Sequence, residues 1–127
     1  MTIKKLVVGS MFSMLLGSEI AVADWGDVYY CQMTENVKIT LDGEMTKYKL
    51  QKFQFKLDQT KNAMVFGSTG SFGNEVIELV TGRNWPRQER WYANDKYSMT
   101  YFDEGRFSYA LVSLLGTHSI SADCDKF

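Results

Sequence analysis

The sequence is poorest in proline and histidine, with Pro86 and His118 the single examples in 127 residues. One proline leaves β-strands almost nowhere interrupted. One histidine leaves a zinc site short of ligands, because the two cysteines are expected to pair with each other. Charge of one sign is also lacking: 14 Lys and Arg face 15 Asp and Glu. General nucleic-acid binding needs concentrated positive charge to displace counterions, so that class is excluded. No apolar run reaches the roughly 18 residues of a membrane-spanning helix. Missing as well are the Lys-Ser/Thr ending of a P-loop, the G-x-S-x-G nucleophile turn, the EF-hand spacing and a C-x-x-C pair. No catalytic residue, cofactor or metal is expected on this reading.

What is present begins with an export signal. Lys4 and Lys5 precede the uncharged, mostly apolar stretch Leu6 to Leu16, and Ala21-Val22-Ala23 offers a small-x-small cleavage site. Residues 1–23 are read as a signal peptide and residues 24–127 as one all-β domain without a transmembrane segment. The expected location is the periplasm or the medium of a bacterial cell. The absence of Asn-x-Ser and Asn-x-Thr is consistent with that source. In an oxidising compartment Cys31 and Cys124 are expected to form a disulfide. Closing so long a loop is worth roughly 4–5 kcal/mol in the chain-entropy model.

The mature chain alternates rather than showing a helical period. Val37, Ile39 and Leu41 share one face, and Asp42-Gly43 supplies a hairpin signal. Tyr48 and Leu50 are followed out of phase by Phe53, Phe55 and Leu57, which places a bulge or corner near Gln51. Ala63 to Phe66 reads as a short strand, Gly67 to Asn74 as a loop, and Glu75 to Val80 as a strand. Tyr97 to Phe102, Phe107 to Leu111 and His118 to Cys124 complete the set. The expected fold is all-β, a small antiparallel barrel of about eight strands, with a two-sheet sandwich as the alternative. A disulfide between first and last strands would mark those strands as neighbours.

Candidate chemistry is sparse. The Gly67 to Gly73 loop reads as a strand connection. His118 reads as a polar strand residue rather than the centre of a triad with Asp123. Asp103 with Glu104, and Asp123 with Asp125, read as turn and surface carboxylates. The segment singled out for binding is 83–92, with Arg83, Trp85, Arg87, Arg90 and Trp91 as the named residues. Arginine forks and indole faces suit a protein partner, or a small anionic or aromatic-stacking ligand. The competing assignment has its tryptophans plugging the core. The many aromatics are expected to fill the core solidly.

Tyr29-Tyr30-Cys31 near the mature start, with Cys124 in the last strand, gives an outline similar to the small periplasmic inhibitors of c-type lysozyme. That resemblance implies an exported β-barrel. The family's Ser-Gly-x-x-Tyr and Trp-x-Lys-Gly loops have no counterpart here, so no functional residue is carried over. The functional expectation is an exported, non-enzymatic β-barrel binding protein. A structural or self-assembling envelope protein and a small envelope hydrolase are the alternatives.

Overall fold

A computed structural model describes residues 23–80 and 90–127. The expected signal segment up to residue 22, and the 81–89 segment holding Arg83, Trp85 and Arg87, lie outside the described residues. Among those described there are nine strands and no helix. They are β1 (Val28–Thr40), β2 (Met45–Lys47), β3 (Lys52–Asp58), β4 (Ala63–Phe66), β5 (Val76–Glu78), β6 (Arg90–Asn94), β7 (Ser98–Asp103), β8 (Arg106–Ser113) and β9 (Gly116–Lys126).

Every pairing is antiparallel, in the order β5-β4-β3-β1-β9-β8-β7-β6, with the short β2 also beside β1. The eight strands of that path curl into a nearly closed barrel, not a sandwich. At the seam, the Val80 N–H donates to the Tyr92 carbonyl at 2.8 Å, linking the end of β5 to β6. Cys31 and Cys124 are register partners on β1 and β9 and form the disulfide. First and last strands are therefore neighbours, as their cysteines implied. They lie in the middle of the sheet path, however, and the barrel closes elsewhere, at β5 and β6.

Period-two alternation fills the interior. Phe53, Phe55 and Leu57 point inward from β3, Phe102 from β7, Phe107 from β8, and Ile120, Ala122 and Cys124 from β9. Their rings meet at centroid distances typical of aromatic clusters, for example 5.1 Å between Phe55 and Phe102. The aromatic content thus goes largely into one ring cluster inside the barrel. Trp25, in the segment leading into β1, packs edge-on against Trp91 at 4.8 Å.

Two features were hidden in the pattern. The Gly-rich loop between β4 and β5 is more than a connection, since Phe72 folds from it into the core. There it stacks on Phe66 at 4.9 Å and meets Phe53 and Phe107. The second is a β-bulge in β1 between Met33 and Glu35. Inserting one residue moves every later side chain to the opposite face. Asn36 and Lys38 then follow Met33 toward the barrel axis, while Val37, Ile39 and Leu41 point out. The bend expected near Gln51 matches it on the partner strand: Met33 N–H bonds the Gln51 carbonyl, and Tyr48 N–H bonds the Asn36 carbonyl.

Candidate functional site

Because residues paired across a sheet share a face, the registers define the outer surface row by row. Outward from the barrel, one row reads Tyr92, Tyr101, Ser108, Ser121 and Glu35 across β6, β7, β8, β9 and β1. The next reads Asn94, Met99, Ala110, Ser119, Val37 and then Lys47 on β2. A third runs Val112, Thr117, Ile39 and Met45. Across these rows, the outward positions of β7, β8 and β9 carry no charge at all. The face is bounded below by the Arg106–Asp123 ion pair at 3.0 Å.

At its other end two hairpin turns bring three leucines together. Leu41 is 79% exposed, Leu114 89% and Leu115 69%. All three line one shallow depression with Lys38, Thr40, Asp42 and Glu44. The close approach depends on Gly116, which pairs with Thr40 at φ 133°. A Cβ there would stand 2.1 Å from the Ile39 carbonyl oxygen, so no other residue lets the β8–β9 turn sit against β1. Leu114 and Leu115 form the two-residue turn itself, and neither has the positive φ that hairpin turns favour. Ser113 steadies the turn by accepting the Leu115 N–H at 3.1 Å. Nothing in the fold calls for leucine at these positions.

The remaining groups read as follows. At the open end of the barrel, His118 lies 2.7 Å from the Asn36 Oδ1. Asn36 donates its Nδ2 to the Lys49 carbonyl, so its oxygen accepts and His118 Nε2 is the donor. Burial, with Lys38 adding, holds the His118 pKa below its ordinary value. His118 points inward while Asp123 points outward to Arg106, so the two form no triad. Glu104 and Gly105 make the β7–β8 turn with positive φ at both, which is a turn role for the Asp103-Glu104 pair.

A cleft of about 300 Å³ opens at the seam between β5 and β6 and reaches the inward-facing Ala93, Thr100 and Tyr109, with Glu75, Glu78 and Asp95 also in its lining. Asp95 accepts the backbone N–H groups of Tyr97 and Ser98, which hold its pKa below the ordinary carboxylate value. A general acid needs the opposite shift. Among the described residues, no group of three or more His, Cys, Asp or Glu is placed to hold a metal ion. No helix among them is long and apolar enough to cross a membrane.

Of the residues expected to bind, Arg83, Trp85 and Arg87 lie outside the described residues. Arg90 opens β6 opposite Asp103 in register. Trp91 is 1% exposed and belongs to the core. That placement takes it off the surface, where a partner would have met it, because its ring completes the packing around Trp25. The face described above was missed by the sequence reading, although a signal was there. Phe107 to Ala122 is a run of sixteen residues without Asp, Glu, Lys or Arg. A hairpin built from such a run has an uncharged outer side as well as an apolar inner one. Comparison of the chain with protein families, characterised proteins and solved structures returns no match in any of the three.

Proposed function

We propose that this chain is an exported, non-enzymatic binding protein, a small β-barrel that docks a protein through its uncharged outer face and leucine tip. The observation that carries the reading is the absence of charge from the outward positions of β7, β8 and β9 above Arg106 and Asp123. Depletion of charge, with Tyr92, Tyr101 and Met99 on one side of the face, is a feature interface centres share, while Ser108, Ala110, Ser119 and Ser121 are of types that interfaces use less. The disulfide is compatible with export to an oxidising compartment.

The test is site-specific photocross-linking in the producing cell. A photoreactive residue at Ala110 or Ser119 is expected to capture a protein, and one at Lys56, on the far side of the barrel, is not. Equal capture at all three positions, or none at Ala110 and Ser119, would sink the reading.

A further inference from the structure

We infer that the cleft at the seam between β5 and β6 binds a small primary amine with an apolar stem, taken up as its ammonium ion. The site is separate from the outer face and does not depend on what docks there.

The cleft follows from the residues that meet at the seam. One inward row reads Trp91, Phe102 and Phe107 across β6, β7 and β8, and its rings fill the core. The next inward row reads Ala93, Thr100 and Tyr109. Its first two side chains are small, and β5 across the seam is only three residues long. The shortfall in volume leaves a cleft of about 300 Å³, at the lower end of the range for small-molecule sites. Phe72 meets the Tyr109 ring edge-on at 5.0 Å and holds it in place. Ile77 and Ala93 add apolar wall.

The polar lining selects the ligand. Glu75, Glu78 and Asp95 lie around the cleft, and no Lys or Arg among the described residues lines it. None of the three carboxylates has an ion-pair partner among the described residues. They are also too dispersed to share a metal ion, so their charge suits an organic cation better. Asp95 accepts the Tyr97 and Ser98 N–H groups and the Ser98 hydroxyl all on Oδ1, which leaves Oδ2 for a ligand. Burial pushes the Tyr109 phenol above its ordinary value; a Ser98 hydrogen bond opposes the rise, and the Glu75 and Asp95 charges add to it.

Thr100 is an independent sign of a ligand. It lines the cleft and is 1% exposed, yet its hydroxyl makes no hydrogen bond among the described residues. A buried hydroxyl without a partner carries a desolvation cost that an incoming N–H would offset. Hydroxyl and carboxylate oxygens both accept, which calls for a cation that donates N–H bonds. A primary ammonium meets that demand and a quaternary one does not.

Nuclear magnetic resonance titration of the purified, oxidised protein with hexylamine at pH 7 tests this. Saturable amide shifts are expected at Ala93, Thr100 and Tyr109. Hexan-1-ol, hexanoate and trimethylhexylammonium share the stem and should each bind at least about tenfold more weakly, for want of the charge or the N–H donors. Glu75→Gln with Glu78→Gln should weaken hexylamine binding at least about fivefold at an unchanged melting temperature, since both side chains are exposed. Thr100→Val should also weaken it, and Thr100→Ser should retain it. Should Thr100→Val fail to fold, the glutamate pair still decides. The inference is overturned by the absence of saturable cleft shifts up to tens of millimolar hexylamine, or by equal binding of hexan-1-ol. An equal response to calcium chloride, or unchanged binding in the folded glutamate double variant, overturns it as well.

Discussion

On β3 the outward side chains are Lys52, Gln54, Lys56 and Asp58, whereas on β8 they are Arg106, Ser108, Ala110 and Val112. The inward side chains of the two strands are alike, with Phe53, Phe55 and Leu57 on one and Phe107 and Tyr109 on the other. Folding makes the same demand on both interiors, because each must exclude water from one aromatic core. It makes little demand on either exterior. The difference between the two exteriors is therefore not imposed by the core they share.

The comparison breaks most visibly from within. Phe55→Ala beneath the charged face and Phe107→Ala beneath the uncharged one should each cost about 3–5 kcal/mol, read by urea unfolding. Both rings are essentially fully buried, so the two losses should be similar. A much smaller loss on one side would mean the core is not shared. Next in size is the disulfide, which lies on the uncharged side between β1 and β9. Replacing Cys31 and Cys124 together by Ser should lower stability by about 2–4 kcal/mol at unchanged sheet content by circular dichroism.

A pH effect follows in rank. Burial, with Asp27 adding, pushes the Tyr29 phenol up to about 12 from 10.0. The fold thus favours the neutral phenol, and this stabilisation is complete below pH 10. It is lost as pH rises from 10 through 12. Tyr29→Phe should flatten that alkaline decline in a melting-temperature profile. Protein with the same decline after the substitution would place the titrating group elsewhere.

The smallest effects on stability are expected on the outer faces themselves. Ala110→Glu and Lys56→Glu should each change unfolding free energy by less than about 0.5 kcal/mol. Only the first should reduce cross-linking of a protein from Ser119, which sharpens the contrast between the two faces. Leu114→Ser with Leu115→Ser should leave the melting temperature unchanged, since these side chains pack against nothing inside. A clear destabilisation would show that the turn needs its leucines and would return them to the fold.

Strand positions were legible wherever one side of the strand was apolar and the turn chemistry explicit. Ala63–Phe66 emerges with the bounds expected, and the inward sets of β8 and β9 follow the alternation directly, whereas on β7 Met99 and Tyr101 point outward and Thr100 and Phe102 inward. Val37, Ile39 and Leu41 show where alternation alone falls short. Their pattern equals that of a buried strand face, and only the bulge after Met33 turns them outward. Phe72 sits among glycines and serines, and no local pattern marks it as a core residue. Trp91 illustrates the reverse case. Arginine-rich neighbours gave it the look of a binding residue, while its burial against Trp25 depends on a contact across more than sixty positions.

The sequence by itself determined the all-β class, the antiparallel strands, the aromatic core and the pairing of Cys31 with Cys124. Each follows from short-range alternation, turn residues, or the simple fact that only two thiols exist. The tertiary structure alone decided where the barrel closes, which side of β1 faces water, and how Leu41 comes to lie beside Leu114 and Leu115. Those outcomes depend on register between distant strands. A one-residue bulge or one close approach at Gly116 reverses them without changing any local preference.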